Sequence, residues 1–202
     1  THLNGKKLEQ FDIKNAEEAD KIKIKLESSN FIVKEIDEKE VSRKPSPPFI
    51  TSSLQMEASR KLGMSAKNTM QVAQRLYQNG LITYMRTDGV QIGEEGISEI
   101  RSTIDKVFGD DYVPKNSNTY ASKVTNAQEA HEAIRPTDTN INPERMNGDF
   151  SKEEKDLYAL IWKRTLASQM QNWRGLRTTI NISNKEMDIN LRVSGTVTLS
   201  NG

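Results

Sequence analysis

Three prolines in four positions, Pro45, Pro47 and Pro48 in "SRKPSPPF", limit what this chain can fold into more than any other feature. Proline fixes its own φ and removes a backbone donor, so neither a helix interior nor a central strand can run through the stretch. The sequence therefore divides there, and the prolines act as a linker into a second region. Upstream, Asn15 predicts a helix N-cap with Glu18 at N3, an apolar stripe of Ala19, Ile22 and Leu26, and a left-handed stop at Asn30. "FIVKEIDEKEV" then predicts a strand with a wet face.

Downstream of the prolines the periodicity is helical. Leu54, Ala58 and Leu62 recur at i, i+4 and i+8 before Gly63, a helix stop. Ser65 caps a second helix with Met70, Ala73, Leu76 and Tyr77 on one side and Lys67, Asn68, Gln71, Gln74 and Arg75 on the outer surface, ending at Asn79-Gly80. Helix, three-residue turn and helix, followed by an apparent strand, give a helix-turn-helix outline like that of a winged helix. Further helices are predicted from Ile97 to Phe108, over "NAQEAHEAIRP" up to Pro136, and after a Ser151–Glu154 capping box, with Leu157, Leu160, Ile161 and Met170 inward. Residues 139–150 read as loop. From Ile180 to Leu199 the pattern changes to alternation broken at "SNK" and "SG", which predicts antiparallel strands. They stop at "LSNG" with an unpaired edge, so a longer parent protein is expected.

The chain has 202 residues, 34% apolar and 28% charged, with a net charge of +1. That balance neither announces nor excludes a nucleic-acid partner, so charge distribution has to decide. Between Ser52 and Asp88 the basic residues are Arg60, Lys61, Lys67, Arg75 and Arg86, and the acidic ones Glu57 and Asp88. This local excess suits phosphate binding but is common on helix surfaces. With no cysteine, disulfides, thiolate metal sites and cysteine nucleophiles are excluded, and a reducing compartment is the default. No apolar run is long enough to span a membrane and no signal-peptide pattern is present, so a cytoplasmic protein is expected.

Two stretches carry candidate chemistry. In "GLITYMRTDG" an extended backbone would put Ile82, Tyr84, Arg86 and Asp88 on one face, aiming a phenol and a guanidinium the same way. A phenol with a pKa of about 10 attacks phosphorus only when its proton is removed or positive charge stabilises the phenolate. Arg86 could do the latter while holding a phosphate oxygen. The phosphotyrosine ester would store the energy of the broken phosphodiester, so religation would need no ATP. A packed strand tyrosine is the competing reading. In "EAHEAIRP", His131 starts like a zinc-protease signature, but Arg135 stands where the second histidine would be, which argues against zinc. His131 with Arg135 four residues on suits phosphate contact instead.

Together, "PPFITSSLQMEASRKLGMSAKNTMQVAQRLYQNGLITYMRTDG" and "YASKVTNAQEAHEAIRPTD" resemble the active-site regions of the bacterial type IA DNA topoisomerases. The similarity runs from about Lys44 to Met170, and "LYALIWKRTLASQM" and the closing strands also match. The resemblance implies that Tyr84 is the nucleophile, forming a 5′-phosphotyrosine link to single-stranded DNA. Arg86 would orient the scissile phosphate and His131 would contact it nearby. Arg135, Ser65 and Lys67 follow as further DNA contacts. It implies an α+β fold in which a mainly helical, tyrosine-bearing lid with a winged-helix-like unit, residues 46–172, is inserted into a smaller β-rich arch built from 1–45 and 173–202. The lid would lift to pass a strand and relax negative supercoils, and the prolines at the junction could restrict that hinge.

Two departures from the family stand out. Gly89 replaces the serine usual after "RTD", and nothing here resembles the upstream acidic domain that binds magnesium. Mg2+ is thus expected in the full-length parent and not on this chain, which alone should not relax DNA. A monomer acting on nucleoid DNA in the cytoplasm, without membrane contact, completes the expectation. The competing classes are a winged-helix DNA-binding module without chemistry, and a structural domain with Tyr84 in its core.

Overall fold

The structure is a computed structural model that describes residues 2–3, 5–121, 132–146, 148–184 and 188–201. Among these the chain forms five α-helices and one antiparallel five-stranded sheet, an α+β fold. It divides into two compact units. One comprises residues 1–43 and 173–201, and the other residues 44–172, inserted between them in the chain.

The first unit carries the sheet, in the order β2-β1-β5-β4-β3. β1 (His2–Leu3) and β2 (Lys6–Lys7) are short, whereas β3 (Phe31–Arg43), β4 (Trp173–Asn184) and β5 (Ile189–Ser200) are long. β4 lies between β3 and β5, with Ile36 opposite Ile180 and Ile180 opposite Val193. Ser194 and Gly195 do not make the expected turn. They sit inside β5, opposite Thr179 and Thr178, so the closing segment is two strands rather than three. Exposed Ile36, Val193 and Val197 leave little apolar burial here, so this unit leans on its backbone ladder.

α1 (Ala16–Ser28) belongs to the same unit. Asn15 caps it, its Oδ1 accepting the Glu18 N–H at 2.9 Å. The helix ends at Ser29 in extended backbone, φ −87°, rather than in the left-handed stop anticipated at Asn30. Ile22 and Leu26 are only half-buried and Ala19 is exposed.

The second unit holds α2 (Thr51–Leu62), α3 (Ala66–Gln78), α4 (Glu94–Phe108) and α5 (Lys152–Ser168). Its core gathers Phe49, Leu54, Ala58, Val72, Leu76, Ile100, Ile104, Leu157, Tyr158 and Ile161, all fully buried. Burying each large apolar side chain contributes about 1.5–3 kcal/mol, so this core is what fixes the helices relative to one another. The helix ends follow their local chemistry. Gly63 closes α2 at φ 68°, a left-handed position that suits glycine. Ser65 caps α3, and Ser151 and Glu154 form a reciprocal capping box on α5.

Two sequence expectations give way in this unit, whereas the proline linker does fall at the boundary between the two units. Asn68 and Arg75 do not simply face solvent. Asn68 Nδ2 donates to Glu153 and Arg75 Nε to Glu154, each at 2.9 Å, tying α3 to α5. The 139–150 segment contains a 3-10 turn at Pro143–Arg145, capped by Asn142. The proline run is also strapped down: Tyr120 Oη donates within reach of Pro45 O (3.0 Å) and Ser168 O (2.8 Å), and Arg164 reaches Pro47 O at 3.4 Å with its guanidinium 4.5 Å from the centre of the Phe49 ring. No helix among the described residues is long and apolar enough to cross a membrane.

Candidate active site

Gly80, at φ 70°, turns the chain out of α3 and into the segment that carries Tyr84. This segment is not the regular strand its alternation predicts. Among the described residues its ladder contact is a single antiparallel bridge, Ile82 to Pro136, and they show no wing strand after α3. Ile82 is also buried, at 1% exposure, rather than facing out with Tyr84. From Tyr84 onward the alternation does hold: Tyr84, Arg86 and Asp88 are exposed, while Met85, Thr87 and Gly89 are buried.

Side-chain hydroxyls replace the missing ladder. Before Tyr84, the Thr83 N–H donates to Arg135 O at 2.9 Å, and Thr83 Oγ1 lies 2.7 Å from Ala133 O and 3.0 Å from the Arg135 N–H nitrogen that donates to it. Around Arg86, Thr51 at the start of α2 places its Oγ1 2.8 Å from Met85 O and accepts the Thr87 N–H at 2.9 Å, while its own N–H donates to Thr87 O at 2.9 Å. Thr87 Oγ1 then accepts the Gly89 N–H at 3.0 Å. A glycine at 89 thus keeps the turn's backbone bond, whatever a serine hydroxyl would add.

Residues 132–136 are extended, not the end of a helix as the proline placement predicts. Beyond the bridge to Ile82, Ile134 pairs with Phe49 and Glu132 with Gln91, so this thread is stitched to three parts of the helical unit. His131 lies outside the described residues. Arg135 is turned inward, its side chain 15% exposed, with Nε 2.7 Å from Glu132 Oε1 and one amino group donating to Pro136 O at 2.9 Å. Its guanidinium packs against Gly96 of α4, where a Cβ would meet Arg135 Cζ at 3.2 Å. An arginine so bonded holds the thread.

Tyr84 itself is 50% exposed, and its ring meets that of Tyr77, in the last turn of α3, edge-on with centroids 5.3 Å apart. Arg86 has no ion-pair or hydrogen-bond partner among the described residues. Together with Thr87, Asp88, Ile50, Thr51, Ser52 and Gln55, it lines an open concavity of about 410 Å³ at the start of α2. A phenol and an uncommitted guanidinium on one exposed edge can address a phosphate. Lys67 is exposed on the first turn of α3, and Ser65 accepts the Asn68 N–H at 3.2 Å. No group of three or more His, Cys, Asp or Glu placed to hold a metal ion occurs among the described residues. The structural signal missed in the sequence is Thr51 and Thr83, whose hydroxyls do what a neighbouring strand would.

Comparison with known proteins gives this geometry a context. A family model described as DNA topoisomerase matches residues 2–202. DNA topoisomerase 1 of Rickettsia bellii is 54% identical over 180 residues, covering 85% of this chain and 22% of the relative. That of Zymomonas mobilis is 48% identical over 198 residues, covering 98% and 16%. Among solved structures, full-length topoisomerase I from Thermotoga maritima superposes with a TM-score of 0.78 at 34% identity, over 91% of this chain and 30% of that one. The chain therefore spans less than a quarter of the length of these curated relatives. The match across nearly its whole length places it in the DNA topoisomerase family.

Proposed function

We propose that residues 1–202 supply the nucleophile of a type IA DNA topoisomerase and the helical lid that presents it to a single-stranded DNA segment. Tyr84 Oη attacks the scissile phosphorus, the P–O3′ bond breaks, and the proton lost by the phenol is matched by one gained at the departing 3′ oxygen. The products are a 5′-phosphotyrosine and a free 3′ hydroxyl. Reversal reseals the strand without ATP, since one ester has replaced another, and passage of a second strand in between relaxes negative supercoils.

The observation that carries this reading is the exposed edge of Tyr84 and Arg86. Arg86 grips phosphate oxygens with its planar fork and stabilises both the phenolate and the charge that builds on phosphorus. His131 contacts the same backbone, and Lys67 and Ser65 at the start of α3 contact it farther along. Arg135 acts by holding its thread in place, because its guanidinium is already used by Glu132, Pro136 and the Gly96 contact. Mg2+, held elsewhere in the full-length protein, would supply screening of phosphate charge. The described residues gather no ligand set for it, so no step is assigned to a metal on this chain. The working protein is a monomer acting on nucleoid DNA, and residues 1–202 alone give no relaxation. A winged-helix module without chemistry is less well supported, since among the described residues no wing strand follows α3.

The test uses the full-length protein and a single-stranded oligonucleotide labelled at its 3′ end. The wild type leaves label covalently attached to protein, whereas Tyr84→Phe binds DNA with similar affinity and attaches none. Label that still links to Tyr84→Phe would sink this function.

A further inference from the structure

The proposed reaction needs Tyr84 and Arg86 held on one edge, yet among the described residues their segment has only one ladder bridge. We infer that Thr83 and Thr51 are positioning residues that clamp this segment at two points, Thr83 fixing Tyr84 and Thr51 fixing Arg86. The inference rests on Tyr84 being the nucleophile and adds the device that aims it.

Thr83 precedes the tyrosine directly and, by alternation, points the other way. Its one hydroxyl proton goes to Ala133 O at 2.7 Å, and its lone pair takes the Arg135 N–H at 3.0 Å. With its own N–H on Arg135 O, one residue locks the register between the tyrosine segment and residues 133–135. The Thr137 N–H, donating to Leu81 O at 3.1 Å, extends the same register toward α3.

Thr51 does the equivalent across Arg86. Its hydroxyl lies 2.8 Å from Met85 O and 3.0 Å from Thr87 O, the carbonyls on either side of the arginine, and it accepts the Thr87 N–H. Because Thr51 opens α2, the arginine is referenced to a helix whose Leu54 and Ala58 are fully buried. Met85, 1% exposed between the two exposed functional side chains, keeps the segment from rolling. Phenol and guanidinium are thus placed by two separate references, residues 133–135 and the start of α2, each made through a hydroxyl.

Valine has nearly the shape of threonine but can neither donate to these carbonyls nor accept from these N–H groups. A misplacement of about 1 Å can cost roughly 100-fold in rate even where binding is intact. In the full-length protein, Thr83→Val should lower the single-turnover rate of covalent linkage at saturating 3′-labelled oligonucleotide by about tenfold to 100-fold. Its dissociation constant for that oligonucleotide should stay within about threefold, since Thr83 makes no ligand contact in this scheme. Thr83→Ser, which keeps the hydroxyl, should recover the rate. Thr51→Val should also slow linkage, with a larger loss of affinity because Arg86 grips the phosphate.

The positioning role is overturned if folded Thr83→Val links DNA at the wild-type rate, or if Thr83→Ser is as slow as Thr83→Val. Should Thr83→Val not fold, Thr51→Val carries the same comparison against Thr51→Ser, and failure of both valine variants to fold would make the hydroxyls structural and overturn the inference as well. Tyr84→Phe separates the two levels. A Tyr84→Phe protein that still links DNA defeats the proposed function, whereas an inactive Tyr84→Phe beside a fully active Thr83→Val defeats only the clamp.

Discussion

Tyr77 stands against Tyr84 with 5.3 Å between ring centroids and 66° between planes, an edge-on contact made from the last turn of α3. Both rings are partly open to solvent, at 41% and 50% exposure, so the pair forms a surface rather than part of the core. The contact limits the arc through which the Tyr84 ring can swing.

An edge-on aromatic pair is worth about 0.5–1.5 kcal/mol beyond its area burial. Tyr77→Ala should therefore lower the melting temperature by a few degrees, given roughly 2–4 °C per kcal/mol for a domain of this size. Tyr84→Phe keeps the ring contact and should melt within about 0.5 kcal/mol of wild type, as surface changes do. Thermal unfolding of the two variants side by side checks both statements, and an unshifted Tyr77→Ala would show that the pair holds nothing.

Gly96 has no room for a side chain. A Cβ there would stand 2.9 Å from Ile92 Cγ2 and 3.2 Å from Arg135 Cζ. Gly96→Ala gains up to about 1 kcal/mol of helix propensity but overpacks a buried contact at a cost of about 1–3 kcal/mol. The net expectation is a loss of stability, read as a lower denaturation midpoint in urea. The displaced guanidinium would also loosen Glu132, so Gly96→Ala should slow covalent linkage more than its stability loss explains. A more stable Gly96→Ala would mean that Arg135 moves aside freely.

What could be seen in the sequence was local chemistry. Asn15, Ser65, Ser151 and Gly63 end or begin helices because the residues that satisfy the free backbone groups lie within four positions of them. Tyr84 and Arg86 could be singled out for the same reason, since the alternation that exposes both runs over three residues. The surroundings of the site were less legible because they are non-local. Thr83 meets residues fifty or more positions away, and Thr51 those thirty-four or more away, so neither hydroxyl has a signature in the segment it holds. "EAIRP" resembled a helix end because proline stops helices, yet Glu132, Ile134 and Pro136 each bridge a distant segment and the chain is extended there. Ser194-Gly195 resembled a turn, but strands flanking it on one side provide a ladder that glycine can join without positive φ.

Glu154 should give the helical unit an acid-sensitive joint. Its carboxylate accepts the Ser151 N–H at 2.8 Å and pairs with Arg75, and these bonds hold its pKa below the ordinary 4.5, with the Ser151 backbone bond the larger cause. A depressed folded-state pKa stabilises the fold above the unfolded value, and that stability disappears as pH falls through the folded pKa. Wild type should thus lose stability below about pH 4.5 more steeply than Glu154→Gln, which lacks the titrating group. At neutral pH Glu154→Gln should be the weaker, having lost a charge-assisted bond of about 1.5–3 kcal/mol, discounted because Arg75 is nearly half exposed. Parallel acid limbs for the two proteins would rule this joint out.

At the other end of the pH scale the relevant group is Tyr120, whose hydroxyl reaches both Pro45 O and Ser168 O and so fastens the proline run to the end of α5. Burial disfavours its phenolate and pushes its pKa from 10.0 up to about 12. The sign follows from which form the fold prefers. A raised pKa means that the neutral phenol is the stabilised form, so the contribution is complete below pH 10 and is lost as pH rises through about 12. Tyr120→Phe removes the donor and leaves two carbonyls short of it, a cost of about 1–2 kcal/mol at neutral pH. Since phenylalanine does not titrate, the stability curves of wild type and Tyr120→Phe should converge between pH 10 and about 12. Lys44 sits 4.8 Å from the centre of the same ring and donates to Thr119 O, contacts that Tyr120→Phe retains, so the comparison isolates the hydroxyl. A constant gap between the two curves across that range would show that Tyr120 is not the group fastening the prolines.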